Sequence, residues 1–246
     1  MEFDVLWRLL GRDRLPYPLV YRGDAATEDE HRAARRTAAR RIATRLDDAL
    51  HGALSALFVP AVRVEVFGLH DAGVIAPIRL HAGIRAGVGV AARQLPGADP
   101  DRGGDVRITA GPASGLAATI VAALPVVARG AGRGVVVPRP GAGPGSLMRR
   151  AGRLDPDEAS RVFFGRPRTA VGEIGVLPGP AADWRPSEGG EVVHWMDFAD
   201  GRYLVRGGDR VVAQPVSGEE FAAELRTLIA AVGAARQANT TIHTAT

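Results

Sequence analysis

A chain of 246 residues with 46% apolar composition is long enough for one large core or two small ones and reads as a folded globular protein. Its 31 basic residues are all Arg, set against 27 acidic ones, and the net charge of +4 falls short of the basic stripe that nucleic-acid binding demands. Cysteine is absent, which excludes a disulfide framework, a thiol nucleophile and any Cys-based metal site, and suits a reducing compartment.

Phe3, Leu6, Leu9 and Leu10 predict a short amphipathic helix that Gly11 ends. The opening Met1-Glu2-Phe3-Asp4 is acidic, unlike a signal peptide, and no run of about 18 apolar residues occurs. The expectation is a soluble, cytoplasmic protein with no membrane segment. Leu15-Pro16-Tyr17-Pro18 is expected to be extended, because each Pro fixes φ and disfavours helix in the residue before it. Thr27 and Glu30 form a capping-box pattern that opens a helical region reaching about Leu57, with Leu46, Leu50, Leu54 and Leu57 on one stripe and Gly52 as a point of division. Its first half crowds Arg32, Arg35, Arg36, Arg40, Arg41 and Arg45, which are spread around the helix and read as a solvated surface rather than a phosphate site.

Val62, Val64 and Val66 alternate with Arg63, Glu65 and Phe67 in a first strand. Ile78, Leu80, Ala82 and Ile84 continue the alternation, and Val88 and Val90 carry it through a glycine-rich hairpin. The turn-rich stretch Leu95 to Gly104 leads to a strand at Asp105 to Thr109 and a helix from about Ala113 to Leu124. Arg129 to Gly145 is rich in Gly and Pro and reads as a connection, Val135-Val136-Val137 notwithstanding. The run Gly141 to Ser146 does not complete a dinucleotide-binding turn, since its sixth place is Ser146 and nearby prolines remove N–H donors. Asp155 caps a helix whose first position is Pro156.

Further strands are predicted at Ala170 to Leu177, Glu191 to Phe198, Arg202 to Arg206 and Arg210 to Gln214, with Asp200-Gly201 as a tight turn. Within Glu191 to Phe198, Val193 and Trp195 share one side and Val192, His194, Met196 and Phe198 the other. Ser217 and Glu220 then form a second capping box, opening a helix with Phe221, Leu225, Leu228, Ile229 and Val232 on one stripe. Several antiparallel strands followed by one amphipathic helix thus occur twice. The fold class is α+β, a pseudo-twofold body of two antiparallel β-meander-plus-helix halves with additional N-terminal and central helices. We expect one domain, with halves at about 1–128 and 146–233, a connection at 129–145 and a flexible tail at 234–246.

Catalytic patterns are missing: there is neither a nucleophile-elbow serine nor a phosphate-binding loop, and no two of the six histidines have metal-ligand spacing. His81, between Arg79 and Arg85, reads as solvated or interfacial, and His194 as a core or interface residue. Glu173 and Asp197 read as partners in sheet salt bridges, and Trp195, Phe198, Phe163 and Phe164 as core. No catalytic, cofactor or metal residue is therefore expected.

The segment HWMDFADGRYLV with its short meander and capped terminal helix resembles the C-terminal half of the EspG family. Phe163 to Thr169 running into Val171 to Val176, and Phe67-Gly68 with Ile78 to Gly83, extend the resemblance upstream. EspG proteins are cytosolic chaperones of actinobacterial type VII (ESX) secretion that bind PE–PPE substrates. The resemblance implies a non-enzymatic chaperone, without cofactor or small-molecule substrate, that holds a helical secretion substrate soluble before export. It implicates Arg168, Val171, Glu173, Trp195, Asp197, Phe221 and Leu225 in partner binding. The Gly/Pro-rich connection and the Arg-rich helix depart from the family pattern, so a WXG-type helical hairpin stays open as the substrate. The rival readings are a nucleic-acid-associated protein using Arg32 to Arg45, and a degenerate enzyme.

Overall fold

The structure, a computed structural model, describes residues 1–71, 73–99, 101–138, 156–181 and 189–244. Three helices, α1 (Glu2–Leu9), α2 (Glu28–Ala43) and α3 (Asp48–Phe58), precede the meander β1 (Val62–Asp71), β2 (Ile75–Arg85), β3 (Val88–Pro96) and β4 (Gly103–Pro112). A single 3₁₀ turn leads into α4 (Leu116–Ala122), and β5 (Val135–Pro138) and α5 (Pro156–Phe164) follow. The second meander is β6 (Arg168–Pro178), β7 (Glu191–Phe198), β8 (Gly201–Arg206) and β9 (Arg210–Pro215), and α6 (Gly218–Thr244) closes the described chain. All strands join one antiparallel nine-stranded sheet in the order β4-β3-β2-β1-β6-β7-β8-β9-β5. The first strands of the two meanders, β1 and β6, meet at its centre from Val62↔Pro178 to His70↔Ala170, as a pseudo-twofold arrangement requires.

Strand alternation assigns every inward side chain to one of two faces. Val62, Val64 and Val66, with Leu80, Ile174, Val193, Trp195 and Leu204, face α4 and α6, which bring Leu116, Ile120, Phe221, Leu225 and Val232. Residues of both halves fill this core, so the two meanders share it. On the second face, α1 and α3 set Trp7 and Leu57 against Val90 and Ala92 at one end of the sheet. At the other end α5 sets Phe163 against Phe198, Tyr203 and Val205. Helix α2 rides on α1 through Ala38 and Ile42, and the buried Asp4 carboxylate beneath it accepts from Arg8 and Arg35, each at 3.2 Å.

Several expectations need correction. The helical region from Thr27 divides at 44–47 rather than at Gly52: Asp47 accepts from Leu50 N–H at 2.7 Å and caps α3, while Leu46 is 46% exposed in the break. Tyr17-Pro18 is a cis peptide within a turn closed by Leu19 N–H to Pro16 C=O, not an extended segment. Val135-Val136-Val137 is a strand, because the outer edge of β9 offers it a ladder. The β7–β8 turn falls on Ala199-Asp200, and Gly201 carries the positive φ of 124° where a Cβ would lie 2.6 Å from Arg129 O. Helix α6 continues through residues 234–244, expected as a flexible tail, because Ala234, Ala235, Gln237 and Ala238 are strong helix formers and Arg236 donates to Pro60 O and Ala61 O at 3.2 and 3.0 Å. The Gly141 to Ser146 run and Asp155 lie outside the described residues.

Candidate partner-binding face

Among the described residues, the second face of the sheet is partly open between the helical cover of α1 and α3 and that of α5. Register places Phe67 opposite Glu173 and Leu69 opposite Val171 across β1 and β6, and sets Glu173 opposite His194 and Gly175 opposite Val192 across β6 and β7. These residues share one face by alternation. Leu69 is 42% and Val192 48% exposed, while Phe67, Val171 and Leu177 are half-buried. The β1–β2 hairpin tip adds Val74 and Ile75, 79% and 57% exposed. A monomer rarely leaves so much contiguous apolar surface to water without a partner to cover it.

One carboxylate sits in the middle of this apolar floor. Glu173 lies 3.8 Å from His194 Nε2, and it accepts a hydrogen bond from Tyr17 Oη at 3.4 Å. Tyr17 arrives on the 15–20 segment, its ring 6.2 Å from Phe67, and burial followed by the Glu173 charge raises its hydroxyl above the ordinary tyrosine range. The segment is anchored from below by His81, whose Nδ1–H donates to Tyr17 O at 3.0 Å while its ring meets Trp7 edge-on. His81 is thus buried, contrary to the solvated or interfacial position expected from its arginine neighbours; burial first, and the Arg63 charge to a lesser degree, lower its pKa to about 4. Arg63 closes the far side, donating to Glu65 at 2.8 Å and to the carbonyls of Pro178, Gly179 and Pro180.

The candidate partner residues divide sharply. Val171 and Glu173 lie on the open floor, and Arg168 is exposed at the start of β6, donating to Phe164 O at 3.0 Å. Trp195, Asp197, Phe221 and Leu225 do not reach any surface: all are buried to within 1% in the core. Trp195 lies against Gly68 and Gly172, where a Cβ would come within 2.6 and 2.1 Å of its ring. Asp197 holds Arg202 through two 2.7 Å hydrogen bonds, and Arg202 in turn donates to Pro125 O at 2.8 Å, tying the chain after α4 to the sheet. The alternation that put Trp195 on one side of β7 and His194 on the other was legible in the sequence. Which side a helix would cover was not: Trp195 lies in the core beneath α4 and α6, while Val192, His194, Leu69 and Leu177 lie on the other face.

The Arg-rich helix is largely neutralised. Arg32 pairs with Glu28 and Asp29, Arg35 with Asp4, and Arg41 and Arg45 with Glu2. Among the described residues no group of three His, Asp or Glu is gathered to hold a metal ion, and no helix is long and apolar enough to cross a membrane.

The fold is a nine-stranded α+β body with α4 and α6 over the middle of one face and, among the described residues, a partly open apolar floor on the other. The model of the EspG family matches residues 1–227, and the chain belongs to that family. Among solved structures it is similar to the Mycobacterium tuberculosis type VII secretion system chaperone EspG5 in complex with the PE25-PPE41 dimer, with a TM-score of 0.57 and 16% identity over 93% of each chain. That likeness is one of fold. A search of curated protein sequences gives no match.

Proposed function

We propose that this protein is a cytoplasmic type VII secretion chaperone that binds a helical secretion substrate of PE–PPE type and keeps it soluble before export. The observation that carries the reading is the open floor of β1, β6 and β7 in a chain of the EspG family whose fold matches a chaperone solved with a PE–PPE dimer. The exposed apolar tip of a helical hairpin would fill the trough between α3 and α5, replacing two water-exposed apolar surfaces by one buried contact. Val171, Leu69 and Val192 supply the desolvated centre, and Glu173 and Arg168 supply charges that select a partner of complementary pattern. Capture of this kind involves no bond making.

Coexpression with PE–PPE pairs, followed by size-exclusion chromatography, tests the reading. A discrete complex and reduced substrate aggregation are expected. Exclusive coelution with a WXG-type hairpin would change the substrate class. Salt-sensitive retention of generic DNA, with every helical substrate running free, would replace the chaperone reading with the nucleic-acid one.

A further inference from the structure

A cavity of about 800 Å³ lies at the β4 end of the molecule, bounded by α1, α2, the 15–21 segment and the last strands of the first meander. That is the size of a small-molecule site, well beyond an ordinary packing void. Its walls are of two kinds. Phe3, Leu15, Val20, Leu95 and Val106 make apolar sides, and α2 turns the small side chains of Ala34 and Ala38 towards them. Arg41 follows on the same helix, two turns or ~10 Å along the axis from Ala34, with Arg45 just beyond, and Arg107 lines the cavity from β4.

Carboxylates are outnumbered here. Asp4 accepts from Arg8 and from Arg35, each at 3.2 Å, and Glu2 takes Arg41 at 3.6 Å and Arg45 at 3.3 Å. Four guanidinium groups therefore share two acids. Asp105 offsets Arg107, but Arg93 of β3 stands directly across from Arg107 and adds a further positive charge. The side chains of Arg41 and Arg45 are 66% and 70% exposed, and each keeps N–H donors beyond those turned to Glu2. Tyr21 lines the same cavity, and burial, followed by the Asp4 charge, raises its hydroxyl above the ordinary tyrosine range, so it stays a donor.

We propose that this cavity binds an amphipathic carboxylate, an unbranched apolar chain with one anionic head. The chain lies against Ala34 and Ala38, between Phe3, Leu15 and Val106. The head takes the remaining donors of Arg41 and Arg45 as charge-assisted hydrogen bonds, for which the planar guanidinium fork is shaped, and Arg107 adds charge from the β4 wall. A small anion alone would leave the apolar walls in water, and an uncharged chain would leave the surplus positive charge unanswered, so the site requires both parts. β4 lies three strands from β1, so this site is separate from the open floor and ligand binding here does not depend on the chaperone reading.

Isothermal titration of the full chain with octanoate tests the site, with octanol and acetate as the two half-ligands. Saturable one-to-one binding of octanoate is expected, weakened at high salt and at least tenfold tighter than that of either half-ligand. Ala34→Phe fills the apolar end and should abolish binding. Thr37→Phe does the same from an exposed position on α2, so it serves where Ala34→Phe perturbs the fold. Arg41→Gln with Arg45→Gln should weaken octanoate by about tenfold and leave the far-UV spectrum unchanged. Absence of saturable binding overturns the proposal, as does octanol binding as tightly as octanoate, or octanoate binding indifferent to both Thr37→Phe and the paired arginine variant.

Discussion

Trp195 shows how one residue couples the two meanders. Its ring crosses the face of β6 and reaches β1 because Gly172 and Gly68 leave it room, and it contacts the roof made by α4 and α6. Trp195→Ala should lower the unfolding free energy by about 3–5 kcal/mol, read from urea denaturation, because a filled slot becomes a cavity between halves. His81 provides a pH signature. Its folded pKa of about 4 lies below the ordinary 6.5, so the unfolded chain takes up a proton that the fold refuses. Stability from this group is complete above about pH 6.5 and is lost as pH falls towards 4, amounting to about 3 kcal/mol at the acid end. Comparing denaturation midpoints at pH 7.5 and pH 4.5 checks it, and His81→Leu should flatten the part of the slope that this side chain contributes.

At the scale of elements, local chemistry decided most boundaries. The capping box of α6 forms as the sequence indicates: Ser217 accepts from Glu220 N–H at 3.1 Å and Glu220 accepts from Ser217 N–H at 2.7 Å. Arg129 adds a 3.0 Å bond to the Glu220 carboxylate, which these donors hold below its usual pKa, Ser217 N–H first. Ser217→Ala should therefore cost about 1 kcal/mol in thermal or denaturant unfolding, with the helix otherwise intact. Strands with one buried face were equally readable, since period-two alternation in β1, β2 and β7 is a direct imprint of burial. What escaped were features decided by neighbours distant in sequence. Val135 to Val137 become a strand only because β9 exposes an edge, and residues 234–244 stay helical in part because Arg236 finds the carbonyls before β1. The break before α3 was readable in principle from Asp47, an N-cap that the leucine stripe obscured.

For the whole molecule, function turns on where the helical layers stop. α4 and α6 cover the middle of one face, while among the described residues α1 to α3 and α5 leave a trough over β1, β6 and β7 on the other, and no period in the sequence encodes that gap. The binding prediction follows from it. Val171→Asp and Leu69→Asp put charge into the centre of the floor without touching the core, so each should weaken a PE–PPE complex by tenfold or more in isothermal titration while leaving the unfolding midpoint within about 0.5 kcal/mol of the parent. Glu173→Arg should weaken it through the charge it presents rather than the area it buries, and that loss should shrink at high salt. Phe221→Ala and Leu225→Ala should instead reduce stability first, and binding only through the fraction unfolded, because both side chains lie beneath the opposite face. Arg36→Gln with Arg40→Gln should leave the complex unchanged, since these side chains sit on α2, away from the floor. If the floor variants bind normally and the α2 variants do not, the partner docks on the helical end of the molecule and the open sheet face is not its site.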